Sequence, residues 1–268
     1  IRQQSLQSLD ERFRIRFPGG IFEDSEQGQR MRLELPGFAC RLAMRRLLPS
    51  WRPGDGLAVF SSSEPAFVRM AVPLPWAEVS GEMAIEDRRY AVRGQLYADQ
   101  SLAVMPMSRQ HNPVFSFRGY SPDSSPGGER WMLSIYRATT HPAYGSRPLA
   151  VLLAARDGRW LFTSRDFSLQ TLEARLDEPT GIQYPGAAEL RAEGGGWLIQ
   201  GRVTDSRTYW RTDIFQQLPS AVRSLVSLFL KRPVILRYTG RFQGTARAPD
   251  GATYPLSLTG HGEYMEIR

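Results

Sequence analysis

The residues to weigh first for proton or metal chemistry are the three histidines, His111, His141 and His261. None lies two or four residues from another, the spacings that bring two imidazoles onto one ion, so no metal site is expected. His261 stands two residues before Glu263, and on a strand such a pair shares one side of the sheet. Facing water, the pair is a solvated surface. Facing a cavity, imidazole and carboxylate become a proton donor and acceptor. The chain contains no Walker loop, dinucleotide-binding glycine fingerprint, HExxH or nucleophile elbow, which argues against the large nucleotide-dependent and hydrolase classes. No cofactor is expected.

Charge and cysteine usage narrow the classes further. The chain has 268 residues, with 34 basic and 27 acidic side chains and a net charge of +7. The arginines are dispersed, alternating with apolar residues as in Arg12-Phe13-Arg14-Ile15-Arg16 and Arg30-Met31-Arg32-Leu33. That places them on solvated strand faces, with no contiguous stripe for nucleic acid. Cys40 is the single cysteine, which excludes an intrachain disulfide and a thiolate cluster; between Phe38 and Leu42 it reads as a small core residue. No apolar run reaches the roughly 20 residues of a membrane-spanning helix. The chain begins with Ile1, so a segment ahead of it, a signal peptide or anchor among the options, is expected to have been removed.

The elements that must position these residues are strands. Period-two alternation dominates, and four hairpins stand out: 79–85 with 90–97, 148–154 with 160–164 across Asp157-Gly158, 188–192 with 197–203 across Gly194-Gly195-Gly196, and one turning at Pro249-Asp250-Gly251. One short helix is expected over Ser220–Lys231, after Pro219 and ended by Pro233. It would plug or cap a barrel end, act as a lid, or bring 220–232 to an anionic lipid surface. Leu48–Gly56 reads as a structured loop anchored by Trp51. Arg207–Asp213 reads as a strand showing Tyr209 and Arg211 to one face and Trp210 and Thr212 to the other. The chain is therefore all-β, with a change of domain near residue 100. A weak echo between Val92–Tyr97 and Leu258–Tyr264 suggests duplication.

The stretches Leu47-Leu48-Pro49-Ser50-Trp51-Arg52-Pro53-Gly54-Asp55-Gly56 and Val72-Pro73-Leu74-Pro75-Trp76-Ala77-Glu78-Val79-Ser80-Gly81, with the closing Gly260-His261-Gly262-Glu263-Tyr264-Met265, resemble the tandem lipocalin-like family. That family includes survival-factor ceramide-transfer proteins, carotenoid 1,2-hydratases and lipocalin-like Diels–Alderases. The resemblance implies two antiparallel lipocalin-like (calycin) barrels packed together, an N-terminal domain over 1–100, incomplete if strands before Arg12 are missing, and a C-terminal barrel over 101–268. Many relatives carry Tyr-His-Asp-His-Asn-Trp where this chain has Tyr97-Ala98-Asp99-Gln100-Ser101-Leu102. Only Tyr97 and Asp99 match, which weakens a hydratase mechanism; Asp99 is left as a buried general acid or as a structural carboxylate.

The reading that follows is a carrier or sequestering protein for a lipid-like hydrophobic small molecule, held in a barrel cavity by apolar burial. Its wall would be drawn from Trp76, Phe115, Phe117, Trp131, Trp160 and Trp210. The alternative is an enzyme of terpenoid or polyketide metabolism, a hydratase, cyclase or pericyclase. Asp99, Glu263 and His261 would then be its acid or base, with Tyr97 and Tyr264 as hydrogen-bond donors. Nucleic-acid partners are not expected. The missing initiator methionine and envelope-associated relatives lean toward a bacterial periplasmic or envelope location, with the cytoplasm as the alternative.

Overall fold

Alternating side chains make strands of nearly everything in the computed structural model, which describes residues 14–25, 28–61, 66–105, 111–122, 129–213 and 233–267. Among these residues there are sixteen strands and one 3-10 turn, Pro142–Tyr144, and no α-helix. The helix expected over 220–231 lies outside the described residues. The chain is all-β, as its patterning predicts, and its strands form two antiparallel sheets.

The tight turns follow from the residues that permit them. Asp157 and Gly158 adopt φ of 50° and 74°, and Gly195 and Gly196 adopt 56° and 79°. Two successive left-handed residues are what a two-residue hairpin of the right twist requires, and Asp-Gly and Gly-Gly are the pairs that supply them.

The chain divides into two compact units. Among the described residues the first holds 14–57 and 69–102. Its strands are β1 (Arg14–Phe17), β2 (Gly20–Ser25), β3 (Gly28–Leu35), β4 (Phe38–Arg46), β6 (Ala66–Ile85) and β7 (Arg88–Val104); β5 (Leu57–Ser61) completes the same sheet. The order is β1-β2-β3-β4-β6-β5, with β7 also on β6. Register sets one face apolar, with Phe22 opposite Met31 and Met31 opposite Leu42. Met44, Leu74, Ala77 and Val79 are buried at its centre. The other face carries the alternating arginines. Arg32 pairs with Glu34 at 2.7 Å, Arg14 with Glu23 at 2.8 Å, and Arg45 with Glu78. Cys40 is buried, and burial pushes its thiol up. Trp51 anchors the Pro/Gly loop through its backbone, exchanging hydrogen bonds with Val72 at 2.9 and 2.7 Å.

The second unit holds 58–68 and the described residues from 103 onward. Its strands are β8 (His111–Tyr120), β9 (Trp131–Thr140), β10 (Pro148–Arg156), β11 (Arg159–Ser164), β12 (Phe167–Asp177), β13 (Ile182–Gly194), β14 (Trp197–Asp213), β15 (Pro233–Arg247) and β16 (Thr253–Ile267). They pair in the order β11-β10-β9-β8-β16-β15-β14-β13-β12. The sheet curls on itself: β11, at one end, returns to the turn between β13 and β14. A Cβ built at Gly194 would lie 2.5 Å from Phe162. The inner faces of these strands converge on one apolar core that includes Phe117, Ile135, Leu152, Leu190 and Phe242.

Candidate ligand-binding site

One end of this inner face is not apolar, and the sequence of β14 explains why. Its pairing with β15 slips twice, between Asp205 and Arg207 and between Thr208 and Trp210. Each slip is a bulge, an extra residue that resets which side chains point inward. Asp205, in unbroken register with Val203, lies opposite Gly240, the slips then put Thr208 opposite Tyr238, and Arg211 lies opposite Leu236, all on the side of the core. Strict alternation would have turned Arg207 and Tyr209 inward with them. Instead Trp210 stands opposite Arg237 on the outer side, 41% exposed, and Tyr209 is 48% exposed. The expected split of Tyr209 from Trp210 is thus corrected: both lie outside.

Here two ion pairs form on buried carboxylates. The Asp205 side chain is 3% exposed; Oδ1 accepts from Arg175 Nη1 at 2.5 Å and Oδ2 from Tyr184 Oη at 2.9 Å. Asp177, equally buried, accepts from Arg211 Nε at 2.7 Å and from Thr180 Oγ1 at 2.7 Å. Both arginines are partly exposed while both carboxylates are not, so each guanidinium reaches in from the rim toward a carboxylate inside.

Beside Asp205 lies an aromatic group. The ring of Tyr184 is 6.1 Å from that of Tyr238 and 6.5 Å from that of Tyr264. Tyr238 is 1% exposed, and its hydroxyl has no hydrogen-bond partner among the described residues. Its ring lies flat on Gly262, where a Cβ would come within 2.2 Å of it. Burial pushes the hydroxyl of Tyr184 up and that of Tyr238 well above the usual tyrosine range, and the Asp205 carboxylate adds to both shifts. Both phenols therefore stay protonated and act as hydrogen-bonding groups rather than acids.

Of the residues singled out from sequence, Phe115, Phe117 and Tyr264 come together on this inner face. Trp131 belongs to the same core, packed edge-on to Trp197 at 6.0 Å, near Tyr254 and Arg156. Trp160 is half-buried on β11, opposite Ala155. Trp210 lies under the Arg237 guanidinium at 4.3 Å. His261 and Glu263 do share one side of β16, but it is the side away from Tyr264. Glu263 pairs with Arg237 at 2.8 Å, and exposed His261 stands edge-on to Tyr209 at 5.6 Å; the shielding its ring does receive lowers its pKa. Trp76, Tyr97 and Asp99 belong to the first unit. Trp76 is fully buried, its Nε1 donating to Gln95 Oε1 at 3.0 Å; Tyr97 is half-buried and Asp99 exposed. Among the described residues no group of three His, Cys, Asp or Glu side chains could hold a metal.

Sequence reasoning missed Arg175, Tyr184, Asp205 and Tyr238. A usable signal was present in Gly240 and Gly262, two small residues on neighbouring strands that leave room for the rings of Phe117 and Tyr238.

No protein-family profile matches the chain. A stretch of 105 residues is 28% identical to the ceramide-binding protein SVF1 of Yarrowia lipolytica, spanning 33% of this chain and 26% of that protein. Among solved structures, an AttH-like protein from Nitrosomonas europaea matches with a TM-score of 0.59 at 16% identity, over 95% of this chain and 70% of the other. CghA, solved with Sch210972, matches at 0.59 and 12% over 93% and 67%. Kievitone hydratase from Nectria haematococca matches at 0.56 and 11% over 94% and 70%. At these identities the likeness concerns the fold, which is lipocalin-like.

Proposed function

From that lipocalin-like fold we propose that the protein binds a lipid-like hydrophobic small molecule at the inner face of its second unit, and so carries or sequesters it. The observation that carries the proposal is the buried aromatic end of that face, where the Tyr238 hydroxyl stays unpartnered beside the Asp205–Arg175 pair. Leaving a buried hydroxyl unpaired costs about 1–3 kcal/mol, a cost a bound molecule can recover. Burial of the ligand's own apolar surface against Phe115, Phe117 and Tyr264 would supply affinity at about 25 cal/mol per Å², before association costs. The ceramide-binding name of a sequence relative is in keeping with such a ligand.

The enzymatic alternative draws on a neighbour named as a hydratase and on CghA, solved with Sch210972. It has less support from the residues. Protonated, up-shifted Tyr184 and Tyr238 are poor proton donors. Asp99 is exposed, and His261 and Glu263 point away from the aromatic face.

Organic extraction of the purified protein followed by mass spectrometry tests the proposal. Recovery of a hydrophobic molecule near one equivalent supports it. A protein that yields none, and that takes up no long-chain probe afterwards, overturns it.

A further inference from the structure

We infer that the polar end of this inner face is a head-group subsite selective for a neutral hydroxyl, set by Tyr238, Tyr184, Asp205 and Arg175. This rests on the lipid-binding reading and narrows it. Tyr238 is buried to 1% exposure, protonated, and without a partner for a hydroxyl that both donates and accepts. Neighbouring Asp205 already takes one donor on each oxygen, Arg175 at 2.5 Å and Tyr184 at 2.9 Å, and a carboxylate oxygen has a second lone pair free for another. A hydroxyl is the smallest group that accepts from a phenol and donates to a carboxylate through one atom.

The charges at the subsite decide against an ionised head. The Arg175 guanidinium is spent on Asp205 and Glu173, at 2.5 and 2.8 Å, so among the described residues an entering carboxylate finds the nearest cation of this group already paired. It meets the buried Asp205 carboxylate instead, and two like charges at a site with little water repel strongly. A purely hydrocarbon end would leave Tyr238 as it is. Gly262 keeps the phenol in place, since its ring occupies the volume a side chain would fill.

The test uses 1-dodecanol and dodecanoate at pH 7.5, titrated into delipidated full-length protein. The wild type is expected to prefer the alcohol by about tenfold or more, the scale of one or two hydrogen bonds to buried or charged groups. Tyr238→Phe removes the unpaired hydroxyl without touching packing, so its melting temperature should hold while the alcohol preference falls. Asp205→Asn frees Arg175 and should raise dodecanoate affinity. Equal binding of alcohol and carboxylate by the wild type, or an unchanged preference in both variants, overturns the head-group assignment while leaving lipid binding intact. Binding of neither probe by folded protein overturns both.

Discussion

At Gly262 a missing side chain decides where Tyr238 lies, because the Tyr238 ring occupies the space directly above its Cα. Gly262→Ala is expected to push that ring off the strand and to destabilise the protein by about 1–3 kcal/mol, the usual cost of overpacking a filled core. Urea unfolding with an unchanged slope would measure it. The Asp205 carboxylate is the second sensitive point. Arg175→Met leaves it buried with only Tyr184 as donor, a loss of about 1–3 kcal/mol, held to that range because Arg175 is itself 44% exposed. The Asp205→Asn change in the same background should recover most of the loss, since the uncompensated charge is then gone. Neither residue was recognisable from the sequence. An aspartate on an alternating strand reads as solvent-facing, and only the partner arriving from β12, 30 residues away, makes its burial tolerable.

Hairpins were the most legible elements, for a local reason: Asp157-Gly158 and Gly195-Gly196 carry their turn geometry in their own backbone preferences. Gly195→Val should therefore cost about 1–2 kcal/mol, the penalty of a β-branched side chain in the left-handed region, whereas Asp157→Asn should be nearly neutral. Thermal melts of the two variants side by side would separate them. The bulges of β14 were not legible, because nothing in Asp205–Trp210 marks where register slips; the slip is fixed by pairing with β15. That one device misplaced Tyr209 and hid the inward turn of Thr208. The terminal motif was half legible: the alternation of Gly260, Gly262 and Tyr264 against His261 and Glu263 fixed which residues share a face, while only the fold says which face is the inner one. The same holds for the wall residues. Phe115 and Phe117 were placed by period two, but Trp210, equally aromatic, stands outside on Arg237.

For the molecule as a whole, the buried tyrosines tie stability to alkaline pH. Tyr184 and Tyr238 ionise above the ordinary tyrosine value near 10 when folded, and near 10 when unfolded. Between those points the unfolded chain has released protons that the native state still holds, so stability falls as pH rises. It is fully present below pH 10, and each tyrosine removes about 1.4 kcal/mol per pH unit above it until its own raised folded-state value is reached. The chain's charge composition makes the effect readable. Its 34 basic residues include a single lysine, Lys231, so the arginines keep their charge well past pH 11, and the groups that titrate in this window are the tyrosines and Cys40, whose thiol burial also pushes up. Melting temperature followed from pH 8 to 11.5 should fall gently above about 8.5 as the unfolded Cys40 thiol ionises and more steeply above about 10, with a shallower drop above 10 in Tyr184→Phe/Tyr238→Phe. An equally steep drop in the double variant would mean that these two phenols are not the groups held neutral in the folded core, and would remove the hydrogen-bonding role given to them at the inner face.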